Sequence, residues 1–133
     1  LNSCGNSTKR CGMSEYVFDS YALFEILHGN PNYAPFENQT PIVNEFILAE
    51  YCRGLLKETD EKTSFSLAQR YEQHSSSVNL RLIMDACIMH RKHTKQNLSI
   101  PDCVGYIQAQ RLGVKFLTGD KQFEHMENVE FVK

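Results

Sequence analysis

The sequence predicts an α/β fold in which a short, mostly parallel sheet carries helices on both faces. Short β-prone runs alternate with longer segments of helical periodicity, and capping residues or glycines separate them. Alternation of this kind implies βαβ crossovers, which place neighbouring strands parallel. The chain has 133 residues, of which 41% are hydrophobic. This is enough for one domain with one core.

The first half of the chain contains two predicted β–α units. Their strands are the runs EYVF and TPIV, and each is followed by a segment with one apolar arc at helical spacing. Asn44 is a suitable cap for the second helix. The predicted elements are a strand at 15–18, a helix at 20–29, a loop with room for one helical turn at 30–38, a strand at 40–43 and a helix at 45–58.

The second half continues the alternation and contains the strongest predicted strand, VKFLT at 114–118. Pro101 opens the helix before this strand, and Gly113 closes it. The other predicted elements are a polar surface helix at 60–73, a short strand at 74–78, a helix at 80–95, a short helix near 121–126 and a last strand at 129–132.

Composition excludes several classes of protein. Charged residues make up 23% of the chain and the net charge is −2, which is unlike a disordered tail or a polybasic nucleic-acid coat. The apolar runs are far shorter than the roughly 20 residues of a membrane span, and no leader is evident. A glycine-rich phosphate loop and a dinucleotide fingerprint are both missing. We therefore expect a cytoplasmic protein without a membrane segment or a nucleotide cofactor.

The cysteines divide into two groups. Cys52, Cys87 and Cys103 lie in predicted helices among apolar neighbours, as free intracellular thiols do. Cys4 and Cys11 lie in an opening segment without periodicity and lack partners with zinc-ligand spacing. We expect residues 1–12 to be an expression tag or a disordered segment. The single domain then covers residues 13–133.

Four acidic residues lie where the predicted topology places a ligand site. Asp19 ends the first strand, and Asp120 follows the strand at 114–118 by one glycine. Asp102 lies in the first turn of the helix before that strand, and Glu50 lies in the helix at 45–58. Ligands of parallel sheets bind beyond the carboxyl ends of the strands. Clustered carboxylates raise one another's pKa or bind a hard cation. The pattern predicts metal-assisted hydrolysis of a phosphodiester.

Three segments carry a resemblance to a known family: YVFDSYALFEIL at 16–27, ILAEYCRGLL at 47–56, and the block from LSIPDC to VEFV at 98–132. Their order resembles the PIN domain, and more narrowly the small VapC-like toxins of prokaryotes. The most specific part is a helix start Leu-x-x-x-Asp followed by a strand that ends in Thr-Gly-Asp-x-x-Phe. The resemblance covers nearly all of residues 13–133 and implies a PIN-like three-layer fold.

The resemblance implies a divalent-metal-dependent endoribonuclease that cleaves RNA, with Mg²⁺ or Mn²⁺ as the cofactor. It also implies a homodimer and, for the toxin branch, an antitoxin partner. Two alternatives stay open: a catalytically weak PIN-like module that binds other proteins, and an RNA-processing nuclease outside a toxin system. The family pattern places the catalytic and metal-binding carboxylates at Asp19, Glu50, Asp102 and Asp120, with supporting hydroxyls at Ser20 and Thr118.

Each aspartate also has a purely structural interpretation. Asp102 follows Ser99 by three residues, which is the spacing of a capping box. Asp19 can cap a helix, and Asp120 in TGDK can be a turn residue. Gly119 is expected to let the chain bend so that Asp120 faces the pocket. The occurrence of all four acids together favours the metal site.

The helix at 45–58 offers two candidate carboxylates. Glu50 falls on its polar side with Arg53, where an exposed ion pair contributes only a few tenths of a kcal/mol. Glu45 falls inside the apolar arc, where an unpaired carboxylate is costly. The family match LAE followed by a glycine favours Glu50, and Glu45 is the second choice. Since an acidic pocket repels phosphate, cations at its rim must steer RNA, and Arg53 and Lys121 are candidates.

Overall fold

The computed structural model describes residues 16–133. The predictions for residues 1–12, for Cys4 and Cys11 and for the domain start at residue 13 lie outside this range. Within residues 16–133 three strands are present, β1 at Tyr16–Phe18, β2 at Lys115–Thr118 and β3 at Val129–Phe131. The α-helices are α1 at Ser20–Leu27, α2 at Glu45–Glu58, α3 at Glu61–Gln69, α4 at Leu80–Lys92 and α5 at Ile100–Leu112.

The three strands form one parallel sheet in the order β1, β2, β3. In its register Phe18 pairs with Leu117, and Thr118 pairs with Phe131. Because parallel strands run the same way, their carboxyl ends meet at one edge. The predicted α/β fold class is confirmed.

Two of the predicted strands, at 40–43 and 74–78, do not form strands in the structure. The segment at 40–43 makes an isolated parallel bridge from Ile42 to Val17, and the segment at 74–78 makes another from Ser75 to Val43. Each bridge continues the parallel arrangement beyond β1, but neither segment keeps the ladder for several residues. The positions of both segments were predicted correctly, and their regularity was overestimated because so few residues pair.

Several predicted helices end earlier than expected. The helix predicted at 60–73 ends at Gln69, and a 3₁₀ turn at Glu72–His74 follows. The helix predicted at 80–95 ends at Lys92 with a 3₁₀ turn at Thr94–Gln96. The short helix near 121–126 is a 3₁₀ turn at Lys121–Phe123, and the loop at 30–38 contains a 3₁₀ helix at Pro31–Phe36.

Side-chain caps define the starts of four α-helices. At α2 the Asn44 side chain accepts from the backbone N–H groups of Phe46 and Ile47. At α3 Asp60 accepts from the Thr63 N–H, and at α4 Asn79 accepts from the Leu82 N–H. Ser99 caps α5 within a full capping box. Such caps satisfy backbone N–H groups that have no partner inside the helix, and each contributes roughly 1 kcal/mol.

The core lies where the sheet contacts the helices. Val17, Phe18, Phe116 and Leu117 of the sheet are fully or almost fully buried. Helix α5 packs closely on β2, because a Cβ at Gly105 would lie 2.7 Å from the Phe116 ring. No helix within residues 16–133 has the length and apolar character needed to cross a bilayer.

Candidate metal and active site

The sheet brings Asp19 and Thr118 together at its carboxyl edge. Asp19 follows β1, and its backbone N–H donates to the carbonyl of Leu117 in β2 at 3.0 Å. Thr118 is the last residue of β2. Its hydroxyl donates to Asp19 Oδ2 at 2.6 Å. The two strand ends therefore fix the carboxylate of Asp19 through both its backbone and one oxygen.

The other oxygen of Asp19 has no partner. The residue is 2% exposed, and Oδ1 is a buried atom without a hydrogen bond. Asp19 occupies the N-cap position of α1, but its side chain makes no capping hydrogen bond. A buried carboxylate oxygen left in this state is costly. The helix-cap interpretation therefore does not account for this side chain, whereas a cation would.

Glu50 points into the same region from α2. Its Oε1 accepts from the Ser20 hydroxyl at 3.0 Å, and its Oε2 accepts from the Ser99 hydroxyl at 3.1 Å. The exposed pairing with Arg53 does not occur in the structure: Glu50 is half-buried and its two oxygens bind hydroxyls. Two hydroxyl donors hold the carboxylate in one orientation without neutralising its charge.

Asp102 is both a capping residue and a member of the acidic group. Its Oδ2 accepts from the Ser99 N–H at 2.9 Å, and its own N–H donates to Ser99 Oγ at 3.1 Å. The capping box predicted from the sequence is confirmed. Ser99 also donates to Glu50, a contact that sequence reasoning missed. The capping box could have indicated this contact from the sequence, because it fixes the Ser99 hydroxyl beside Asp102.

Asp19, Glu50 and Asp102 form one cluster. Each offers a carboxylate oxygen, and these oxygens lie within 4.8 Å of one another. Burial first, and then the charge of Asp102, raise the pKa of Asp19 well above its usual value. Burial also raises the pKa of Asp102 to about 6, with a further contribution from Glu50. Three oxygen donors with mutual repulsion and one unpartnered buried atom fit a hard divalent cation.

Asp120 lies at the margin of this cluster. Its Oδ1 accepts from the Gln122 N–H at 3.0 Å, and its N–H donates to the Thr118 hydroxyl at 3.0 Å. Its turn role is therefore real. Asp120 is outside the group of three oxygens but is near enough for its charge to raise the pKa of both Asp19 and Asp102.

The remaining candidates lie on the surface. Glu45 is exposed in the first turn of α2. The expected desolvation of Glu45 in the apolar arc is wrong, because its side chain is exposed although Asn44 and Ile47 on either side are buried. Arg53 is exposed on α2, and Lys121 is exposed in the turn that follows Asp120.

Two glycines set the spacing of the site for steric reasons. A Cβ at Gly54 of α2 would lie 2.4 Å from the Phe24 ring of α1, so this glycine allows the close packing that accompanies the Ser20–Glu50 contact. A Cβ at Gly119 would lie 2.2 Å from the Val132 carbonyl oxygen. Gly119 is not among the glycines with positive φ. Gly119 is therefore required for close packing against Val132 and not for a backbone conformation that only glycine adopts.

Comparison with known proteins identifies the family. The family model described as the PIN domain matches residues 16–129. The chain belongs to the PIN domain family. No curated protein sequence matches this PIN domain significantly. The acidic cluster lies at the carboxyl edge of its sheet, within the matched region.

Solved structures similar to this PIN domain include VapC toxins and toxin–antitoxin complexes. VapC20 from Mycobacterium tuberculosis, described as a sarcin–ricin loop cleaving toxin, aligns with a TM-score of 0.71 at 16% identity over 89% of this chain and 99% of its own. VapBC-1 from nontypeable Haemophilus influenzae aligns at 0.64 and 13% identity over 87% and 95%. PAE2754 from Pyrobaculum aerophilum aligns at 0.64 and 13% over 89% and 90%. At these identities the likeness concerns the fold.

Proposed function

We propose that this PIN domain is a divalent-metal-dependent endoribonuclease and the toxin of a toxin–antitoxin pair. The observation that carries the proposal is the acidic cluster, in which a buried oxygen of Asp19 lacks a partner beside Glu50 and Asp102. A cation balances this arrangement, and hydrolysis of a phosphodiester is a reaction for which such sites are used.

Asp19, Glu50 and Asp102 would hold Mg²⁺ or Mn²⁺, with Asp120 joining from the margin. A bound ion of this kind supplies an acidified water and neutralises charge on the phosphate. Thr118 occupies Asp19 Oδ2 and so leaves Oδ1 available as a ligand. Glu50 is half-buried, and hydrogen bonds from the Ser20 and Ser99 hydroxyls keep its two carboxylate oxygens in place.

The protein contributes preorganisation. Each of the three carboxylates is held by a hydrogen bond from a neighbouring hydroxyl or backbone group, so little reorganisation is needed when a cation and substrate arrive. Phosphate approaching an acidic pocket is repelled, so we also propose that the exposed cations Arg53 and Lys121 steer RNA to it. Lys121 follows Asp120 directly and is the better placed of the two.

The toxin assignment is supported by the similar structures, which include a sarcin–ricin loop cleaving toxin and a toxin–antitoxin complex. This chain also exposes apolar surface. A groove of about 280 Å³ between α2 and α3 is lined by Cys52, Leu56 and Phe65, and Phe65 is 67% exposed. Glu61 lies at its edge. An apolar segment with basic flanks, as part of an antitoxin, would fit this surface.

The proposal includes a homodimer in the cytoplasm. Leu80 and Met84 of α4 and Leu112 of α5 are 76%, 49% and 48% exposed. These exposed apolar side chains are available for contact with a copy of the same chain. Light scattering after size-exclusion chromatography measures the mass directly, and a monomer at all concentrations would remove the dimer from the proposal.

Metal binding and RNA cleavage test the proposed function together. Calorimetry at neutral pH should detect Mg²⁺ or Mn²⁺ binding to the wild type, and Asp19→Asn and Asp120→Asn should weaken it. Cleavage of single-stranded RNA should require the same ions and should fall by at least about 100-fold in Asp19→Asn, since loss of a group acting on transition-state charge typically has this effect.

Glu50→Gln and Glu45→Gln form a matched pair on α2. We expect Glu50→Gln to lose metal-dependent cleavage and Glu45→Gln to keep it, because only Glu50 lies in the acidic cluster. Every variant is purified alongside the wild type, so a contaminating ribonuclease would appear equally in all preparations. Metal binding without cleavage would favour the interaction module, and full activity in Asp19→Asn would reject the proposed site.

A further inference from the structure

Lys133 lies beside the loop that carries Asp120. Its Nζ donates to the Gly119 carbonyl at 3.3 Å and lies 5.6 Å from the centroid of the Tyr21 ring. Gly119 separates Thr118 from Asp120, and Tyr21 follows Ser20, which donates to Glu50. The ammonium group therefore contacts residues that lie within two positions of Asp19 and Asp120 along the chain.

The backbone around Lys133 is firmly held. The Val132 N–H donates to the Thr118 carbonyl at 3.0 Å, and the Tyr33 hydroxyl donates to the Val132 carbonyl at 2.6 Å. The Asn32 amide donates to the Lys133 carbonyl at 3.2 Å. These contacts fix the backbone from which the Lys133 side chain extends, so only side-chain freedom remains to be lost when its ammonium group binds a ligand.

Close packing fixes the position of this segment relative to the site. A Cβ on Gly119 would lie 2.2 Å from the Val132 carbonyl oxygen and 2.4 Å from the Tyr21 ring. The backbone of Gly119 is therefore in contact with both the aromatic ring and the segment that carries Lys133. Any larger residue at Gly119 would separate them.

The ammonium group of Lys133 retains capacity for a further partner. A lysine ammonium has three donors, and Gly119 accepts one of them. Lys133 is exposed. The adjacent ring of Tyr21 favours a cation near its face. Next to a pocket whose carboxylates repel phosphate, a fixed and exposed cation is suited to hold an anionic group of a substrate.

We propose that Lys133 binds a backbone phosphate of single-stranded RNA at the margin of the acidic site, and that Tyr21 is a positioning residue for its ammonium group. The inference rests on the proposed nuclease function and adds a phosphate subsite to it. This phosphate would flank the scissile one, because the ammonium group contacts the carbonyl of Gly119, next to Asp120, and not the three gathered carboxylates.

Steady-state cleavage of a short single-stranded RNA in Mg²⁺, at several concentrations of monovalent salt, tests this subsite. Lys133→Met should raise KM several-fold with kcat within about twofold of wild type, because a flanking phosphate contact binds ground and transition states alike. The slope of log(kcat/KM) against log[salt] should become shallower by about 0.7, the value for one phosphate contact on a single strand. Lys133→Arg should keep most of the affinity.

Lys115→Met is the matched control. Lys115 is also exposed, but it begins β2, at the opposite end of the strand from Thr118. It should leave KM and the salt slope unchanged. Tyr21→Phe should resemble wild type and Tyr21→Leu should raise KM, since the aromatic face is what orients the ammonium group.

The outcomes separate the inference from the proposed function. If wild type cleaves RNA, Asp19→Asn does not, and Lys133→Met matches wild type in KM and salt slope, then the subsite is rejected alone. A fall in kcat at unchanged KM in Lys133→Met also rejects it, because that result indicates a structural role. If wild type shows no metal-dependent cleavage, the proposed function fails and the subsite with it.

Discussion

The buried carboxyl of Asp102 makes the stability of the metal-free protein depend on pH. Burial raises its pKa from 3.8 to about 6. Between these values the folded protein holds a proton on Asp102 that the unfolded chain has already lost. The contribution of Asp102 to stability is therefore greatest below its unfolded-state pKa and is lost as the pH rises through about 6, which is opposite to the behaviour of a carboxylate in a salt bridge.

The size of the effect follows from the shift. A difference of about two pKa units corresponds to roughly 3 kcal/mol when complete, of which about 2 kcal/mol is lost between about pH 4.5 and pH 7. The pKa of Asp19 is raised in the same way, so its contribution has the same sign. The pKa values of Asp60 and Asp85 are lowered, so their stabilising contributions are lost only below about 3.8, outside this window.

Urea unfolding in EDTA at several pH values measures this dependence. The free energy of unfolding should fall with rising pH, and Asp102→Asn should flatten the curve because an amide does not titrate in this range. The variant should keep its helix cap, since the amide oxygen can still accept from the Ser99 N–H. Mg²⁺ should restore stability most at neutral pH, where it meets deprotonated ligands. Stability that rises from about pH 4.5 to pH 7 in EDTA would refute the buried, repelling cluster.

Three further substitutions test the packing and charge of the site. Gly54→Ala should gain about 1 kcal/mol of helix propensity but lose roughly 1–3 kcal/mol to the clash with Phe24. Cleavage should also fall, because the clash displaces Glu50. A variant that is more stable in urea unfolding and fully active in cleavage would contradict this. Gly119→Ala should lower the melting temperature, because the obstructing atom is a backbone oxygen that cannot rotate away; an unchanged melting temperature would count against the packing argument. Asp19→Asn should raise the melting temperature in EDTA, because the variant no longer buries an ionisable carboxyl, and Mg²⁺ should no longer increase the melting temperature. A lower melting temperature in EDTA would contradict this, because it would mean that the charge of Asp19 is compensated in the folded protein.

The sequence predicted most elements because their signals are local. Asn44, Asp60, Asn79 and Ser99 mark the starts of four helices, and all four caps are present. The strands at 40–43 and 74–78 were less predictable. Whether a short apolar run forms a ladder or a single bridge depends on how long its neighbour stays alongside, which local propensity does not contain.

The positions of the three aspartates of the candidate site could be predicted from the sequence, but most of the contacts between site residues could not. Strand ends and a capping box place Asp19, Asp102 and Asp120 from sequence alone, since each position follows from chain direction. Helical angle assigned Glu50 to a polar side and Glu45 to an apolar arc, so only the family match favoured Glu50 before the packing of α2 was known. In the structure Glu50 is half-buried in the acidic cluster and Glu45 is exposed, so helical angle alone ranked the burial of the two residues wrongly.

The hydroxyl network explains how a repelling cluster can persist before any cation binds. Ser99 serves Asp102 through its backbone N–H and Glu50 through its hydroxyl, so one helix cap ties two like charges together. Thr118 offsets part of the cost of burying Asp19, but Asp19 Oδ1 remains without a donor. The fold therefore satisfies most of the oxygens of its acidic pocket and leaves Asp19 Oδ1 without a donor. Protonation at low pH relieves the resulting destabilisation, and we expect a bound cation to relieve it at neutral pH.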